Sequence, residues 1–194
     1  MRLSAATAAV ALGAAALTLS TPLCSQQAAV SWLDASHLEP WNNPGMSIPF
    51  APQGEKNTDP RCRTLARSAE SAEDKQLRAG GWDLIGAASA GGQMRVIGGA
   101  ADYDGMCRPR QFQYFVFVHG TFAGTLAPRP MDSRTDGALG RVHIESDHKL
   151  TVEYNRYGAA DPLCCPSRRT TVAFAIEMEP PVVRPVSAST VSTR

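Results

Sequence analysis

The sequence predicts a small α+β domain in which an N-terminal helix region packs on a mainly antiparallel sheet and disulfide bonds staple the two. Three observations predict this fold: a helical segment before Gly80, a series of short alternating strands after it, and four cysteines downstream of an export signal. The chain has 194 residues, 43% of them hydrophobic, which is enough for one packed domain. The predicted divisions are a signal peptide (1–25), an extended arm (26–58), the domain (59–178) and a disordered tail (179–194).

The first residues have the composition of an export signal. Arg2 precedes an uncharged stretch rich in alanine and leucine, which is typical of a signal peptide. We therefore expect residues 1–25 to be removed and the mature protein to be exported, to the periplasm or the cell envelope, without a transmembrane span. Lipidation of Cys24 stays open, because the large Leu23 precedes it where bacterial lipoproteins carry small residues.

The formal net charge of +1 restricts the partners of this protein. Nucleic-acid binders usually carry a clear basic excess, so a nucleic-acid partner is not expected. An unknown envelope component or ligand is the expected partner.

The arm is predicted from its prolines. Pro44, Pro49 and Pro52 lie within residues 26–58, and each proline restricts φ and lacks a backbone donor. An extended segment is therefore expected there instead of a helix.

Two capping signals mark the helix region. Asp59, followed by a proline, can begin a helix, and Ser71 with Asp74 has the spacing of a capping box. The helix is therefore predicted either to run over 61–79 or to begin again at 72. The glycine pair at Gly80 ends it.

The strongest strand signal is the segment Gln111–Val118. Both of its faces are apolar, which predicts a position in the middle of the sheet. His119 and Gly120 follow it and predict a two-residue hairpin, because glycine readily adopts positive φ and histidine tolerates it.

A second hairpin is predicted from Arg141–Ser146 and the segment 150–154. A three-residue loop, 147–149, would place Ile144 opposite Val152 and keep the apolar faces together. The same register would place His143 opposite Glu153.

A last alternating strand is predicted over 170–178, and the remaining tail has no pattern.

The cysteines predict a disulfide framework. With Cys24 set aside, an even number remains in an exported chain, and these are Cys62, Cys107, Cys164 and Cys165. Because a bond between adjacent cysteines requires demanding geometry, we expect Cys164 and Cys165 to pair with Cys62 and Cys107, one each, in either order. A thiol–disulfide redox pair at Cys164–Cys165 is the alternative. Zinc is disfavoured, since adjacent cysteines direct two thiolates to one ion poorly.

These segments resemble a known protein family. The stretches FVFVHGTFAGTLAPRPMDSRTDGA and LTVEYNRYGAADPLCCPSRRTTVAFAI are similar to the LppP/LprE lipoproteins of bacterial envelopes. The similarity spans roughly residues 58 to 178. The residues that match the cysteine pattern of that family are, in order, Cys62, Cys107, Cys164, Cys165 and Pro166. The resemblance implies an envelope location, and it brings no enzymatic activity with it.

No catalytic motif appears in the sequence. There is no GxSxG, HExxH or phosphate-binding loop, and no cofactor or metal is expected. His143 with Glu153 would be the basis of a hydrolase alternative, although a cross-strand charge pair is the simpler interpretation. The candidate ligand loop contains Arg129, Asp132, Arg134 and Asp136. The predicted function is therefore a structural or binding module of the cell envelope.

Overall fold

The computed structural model describes residues 31–162 and 164–193. They form two four-stranded antiparallel sheets, of order β1-β2-β3-β4 and β5-β6-β7-β8, whose inner faces share one hydrophobic cluster. The edges adjoin at β4 with β8 and at β1 with β5. The elements are α1 Pro60–Arg63, α2 Ala72–Ala79, β1 Asp83–Gly91, β2 Met94–Tyr103, β3 Pro109–Val118, β4 Thr121–Thr125, β5 Ala138–Ser146, β6 Lys149–Arg156, β7 Arg168–Met178 and β8 Pro181–Ser192.

The α+β prediction is wrong, because the described chain is mostly antiparallel strand. The α-helices span only Pro60–Arg63 and Ala72–Ala79, and the second sheet forms the layer that the helix region was expected to form. The arm is not extended throughout, because a short 3-10 helix spans Trp32–Asp34. The expected disordered tail is wrong over β8, which pairs with β7 along almost its whole length. Backbone pairing orders this strand although most of its side chains beyond Pro185 are exposed.

The restart of the helix at residue 72 is confirmed. The Ser71 hydroxyl accepts a hydrogen bond from the Asp74 N–H, and the Asp74 carboxylate accepts one from the Ser71 N–H. This capping box satisfies donors that the first turn of α2 would otherwise leave unpaired. Asp59 caps the separate helix α1, so residues 64–71 connect two short helices.

Helix α2 covers the outer face of the first sheet. Leu77 of α2 and Ala51 of the arm pack there with Trp82, Phe115 and Phe117, which are all fully buried. The Trp82 ring stacks edge-on against Phe115 at 5.0 Å, and its Nε1 donates to the Pro49 carbonyl. The first sheet is therefore apolar on both faces, and the arm helps α2 to cover the outer face.

The central strand and its turn are confirmed. Strand β3 pairs with β2 on one side and β4 on the other. Val118 pairs with Thr121, and the two turn residues have positive φ, 49° at His119 and 76° at Gly120. The two-residue hairpin follows from the tolerance of these residues for left-handed backbone.

The predicted register of the β5–β6 hairpin is wrong. Ser146 pairs with Lys149 across a two-residue turn, and Ile144 lies opposite Leu150. A bulge between Ile144 and Ser146 accommodates one extra residue in β5. The apolar side chains of β5 and β6 therefore lie on the same face of the sheet without a three-residue loop. His143 consequently lies opposite Thr151, and not opposite Glu153.

Candidate functional site

A cavity of about 560 Å³ lies beside the two helices, between the segment that joins them and the ends of β1 and β2. We call it the basic cavity. Its charged and phenolic lining consists of Lys56, Arg63, Arg67, Arg78, Asp83, Asp102 and Tyr103.

The Tyr103 hydroxyl is the unusual group of the basic cavity. The side chain is 4% exposed, and its Oη has no hydrogen-bond partner among residues 31–162 and 164–193. Burial raises the pKa of Tyr103 to about 12, with Asp83 adding to the rise and Arg78 opposing it. The hydroxyl is therefore a neutral donor at physiological pH, and a buried donor without a partner costs free energy.

The cations of the cavity differ in their pairing. Arg67 donates to both carboxylate oxygens of Asp74, at 2.7 and 2.6 Å, and Arg78 pairs with Asp83. Within the described part of the chain, Lys56 and Arg63 form no ion pair. Four cations thus line or adjoin the cavity against three carboxylates, those of Asp74, Asp83 and Asp102, and this small excess of positive charge favours the binding of an anion.

The predicted ligand loop contributes to a second cavity, of about 530 Å³, which we call the arginine cleft. Arg108, Arg110 and Arg134 line it together with Asp132 and Tyr157. The Arg134 guanidinium lies over the Tyr157 ring at 5.2 Å and donates to the backbone carbonyl of residue 161. Arg134 and Asp132 of the predicted ligand loop therefore line this cavity.

The other two residues of the predicted loop form a structural pair. Arg129 Nη2 contacts Asp136 Oδ1 at 2.9 Å, and Asp136 is 4% exposed. Asp136 also accepts hydrogen bonds from the Asp132 N–H and the Thr135 hydroxyl. These contacts engage the Asp136 carboxylate within the loop.

His143 does not acquire the partner that the hydrolase alternative requires. It lies opposite Thr151 on the outer face of the second sheet, in a smaller surface pocket of about 280 Å³ that Arg141 and Glu153 also line. Glu153 lies opposite Arg141 and forms an ion pair with Arg169 at 3.8 Å. The arrangement is that of a solvated charged sheet face.

The disulfide pairing differs from the prediction. The sulfur atoms of Cys62 and Cys107 are 2.06 Å apart, and those of the neighbours Cys164 and Cys165 are 2.31 Å apart. The expectation that each of the adjacent cysteines bridges to a distant partner is therefore wrong. Cys62 packs against the turn before β3, and Cys107 lies in that turn with positive φ. The sulfur atoms of Cys62 and Cys107 therefore lie close enough to bond to each other, without Cys164 or Cys165.

Sequence reasoning missed the basic cavity. Its lining comes from short segments between residues 56 and 103, which are brought together only when α1 and α2 pack on the sheet. The one available signal was the density of arginine around the two helices, at 61, 63, 67 and 78.

The described residues contain neither a metal-binding cluster nor a membrane-spanning helix. In residues 31–162 and 164–193, no group of three or more His, Cys, Asp or Glu side chains is arranged to hold a metal ion. No helix of the same residues is long and apolar enough to span a membrane. Cys24 and the expected signal peptide lie outside the described residues.

Comparison with known proteins confirms the resemblance over part of the chain. Residues 93–178 match the LppP/LprE lipoprotein family, a shorter range than the one predicted. The match covers the arginine cleft and the adjacent cysteines, whereas most of the basic cavity precedes it. No curated protein and no solved structure matches the chain. The family supports an envelope lipoprotein and assigns no activity.

Proposed function

We propose that this protein, which matches the LppP/LprE lipoprotein family over residues 93–178, is an exported envelope protein that binds a small anionic ligand in the basic cavity. The observation that carries the proposal is Tyr103, which lines a cavity with four cations and whose buried hydroxyl has no partner in the described chain. A ligand oxygen would supply the missing acceptor.

The size and chemistry of the cavity suit a small anion. A volume of about 560 Å³ lies within the usual range of small-molecule sites. Hydrogen bonds from a neutral donor to a charged acceptor are among the stronger ones in proteins, and nearby Arg63 and Lys56 would add charge.

Calorimetric titration tests the proposal with pyrophosphate and citrate as anionic probes and glucose as a neutral control. We expect at least one anion to bind and glucose not to bind. Tyr103→Phe should weaken the affinity about 10-fold, since it removes only a hydrogen bond to a charged group. Arg63→Ala should weaken it as well, and Arg134→Ala in the arginine cleft should leave it unchanged.

The variants also separate the two cavities. A loss of affinity in Arg134→Ala, with Tyr103→Phe unaffected, would move the ligand to the predicted loop around Arg134 and contradict the basic cavity. Equal losses in all variants, or no anion binding, would contradict the proposal altogether. Tyr103→Phe should not lower the free energy of unfolding, because the hydroxyl has no partner to lose among residues 31–162 and 164–193.

Export and anchoring are a separate part of the proposal. The composition of residues 1–25 and the family match support removal of that segment. Intact-mass measurement of the mature protein would reveal cleavage before the arm, and a diacylglycerol on Cys24 would establish a lipid anchor. A mature mass that includes Met1 would contradict export by a cleaved signal.

A further inference from the structure

The two disulfides of this protein differ in burial and span. Cys62 is fully buried and joins Cys107 across a sequence separation of 45. Cys164 and Cys165 are both exposed, and their sequence separation is 1. The Cys62–Cys107 bond is placed to stabilise the fold, and the Cys164–Cys165 bond is exposed to a reaction partner.

The adjacent pair contributes little as a cross-link. In the chain-entropy model, a disulfide stabilises the folded state by restricting the unfolded chain, and its effect grows with the length of the loop it closes. A bond across one peptide unit restricts the unfolded chain very little, whereas the Cys62–Cys107 bond restricts a long loop. Structural stabilisation therefore explains the first bond and does not explain the second.

The loop that carries the pair is held by contacts other than the disulfide. The buried Asp161 carboxylate accepts hydrogen bonds from the Gly158 N–H at 2.6 Å, the Ser167 N–H at 2.9 Å and the Ser167 hydroxyl at 2.7 Å. The Cys165 N–H donates to the Pro162 carbonyl at 3.1 Å. Both ends of the loop are thus joined through Asp161, independently of the sulfur atoms.

We propose that Cys164–Cys165 is a thiol–disulfide exchange site that accepts electrons from an exposed dithiol of another exported molecule. Exposure admits the attacking thiolate, and the loop contacts of Asp161 keep the site in place when the bond opens. The two cysteines remain one peptide apart after reduction, so closure of their bond from a mixed disulfide is an intramolecular step.

The exchange has two steps. A thiolate of the partner attacks one sulfur atom of the pair, the Cys164–Cys165 bond breaks, and the other sulfur leaves as a thiolate and takes up a proton. The second thiolate of the partner then attacks the mixed disulfide, which forms the partner's disulfide and releases the remaining cysteine as a thiol. The partner dithiol loses two electrons and two protons, and the cysteine pair gains them.

The first experiment compares how readily the two bonds are reduced in the folded protein. The purified mature protein is incubated with increasing dithiothreitol, trapped with iodoacetamide and mapped by peptide mass. We expect carbamidomethylation of Cys164 and Cys165 at a reductant concentration at least about 10-fold below that which modifies Cys62 and Cys107, with unchanged circular dichroism. Reduction of both bonds together, or opening of the adjacent pair only on unfolding, would overturn the proposal.

The second experiment measures exchange itself. A synthetic dithiol peptide is mixed with the oxidised protein, and its disulfide form is quantified by mass spectrometry. Wild-type protein should oxidise about one equivalent of peptide, and the double variant Cys164→Ser/Cys165→Ser should oxidise none. The double variant retains the Cys62–Cys107 bond and serves as the folded control. Equal oxidation by both proteins, or none by the wild type, would reject the exchange site whatever the basic cavity binds.

Discussion

The Asn42 side chain pairs with the backbone of Thr125 as a neighbouring strand would. Its Nδ2 donates to the Thr125 carbonyl at 2.9 Å, and the Thr125 N–H donates to its Oδ1 at 2.9 Å. The same Nδ2 group donates to the Val183 carbonyl of β8 at 2.9 Å. One buried residue of the arm therefore joins the edges of both sheets. Gly124 allows this approach, because a Cβ there would lie 2.3 Å from the Asn42 side chain.

The first prediction concerns this junction. Asn42→Ala should lower the free energy of unfolding by about 2–3 kcal/mol, because it leaves the Thr125 N–H and two carbonyls without their partner in a buried place. Chemical denaturation measures the change. Asn43→Ala, at the exposed neighbouring position, is the matched control and should be nearly neutral. Similar effects of both substitutions would contradict the role of Asn42 as the junction.

The second prediction concerns acid stability. Hydrogen bonds from Arg67 hold the pKa of the buried Asp74 well below its usual range, against the rise that burial alone would cause, and backbone N–H groups assist. A carboxyl with a lowered folded-state pKa stabilises the protein above its ordinary pKa, and that stability is lost as the pH falls. The wild type should therefore lose stability below about pH 4.

Asp74→Asn tests this assignment. At pH 7 it should cost about 3 kcal/mol, because Arg67 loses its charged partner and part of that pair is buried. Between about pH 5 and pH 3 the variant should lose less stability than the wild type, since the titrating group is gone. Glu177→Gln, which disrupts the more exposed pair with Arg184, should change little at either pH. Parallel pH profiles of Asp74→Asn and the wild type would exclude Asp74 as the cause.

The third prediction concerns the central strand. Phe117 is fully buried in the outer cluster of the first sheet, so Phe117→Ala should cost about 3–5 kcal/mol. Thr151 lies on the outward face of β6 between buried Leu150 and Val152, and Thr151→Ala should change little. Denaturant melts of the two variants measure the difference. Equal costs would show that the face assignment of one strand is wrong.

The fourth prediction concerns the buried disulfide. Cys62→Ser should destabilise the protein by about 4 kcal/mol, the chain-entropy value for a loop of this length. The variant should contain one free thiol, at Cys107, while Cys164 and Cys165 stay joined. Thiol titration and non-reducing peptide mapping measure both outcomes. A peptide that joins Cys164 or Cys165 to Cys62 in the wild type would contradict the observed pairing.

Several features of this protein follow from the sequence because they depend on neighbouring residues. The capping box of Ser71 and Asp74 needs only local backbone groups, and the His119–Gly120 turn needs only residues that tolerate positive φ. The central position of β3 follows from its two apolar faces. The cysteine pattern and the neighbouring strands were likewise sufficient to indicate the lipoprotein family, although the match covers residues 93–178 and not the whole of the predicted range of about 58 to 178.

Other features were decided by the packing of distant segments. The bulge beside Ile144 sets the β5–β6 register, and the edge of β7 orders β8 although its own pattern is weak. The basic cavity exists only where α1 and α2 meet the ends of β1 and β2, so Tyr103 carries no signal in the sequence. Periodicity shows which residues are buried and does not show which buried faces meet. Which buried faces meet depends on long-range contacts. In this domain those contacts join two sheets, and not a helix and a sheet.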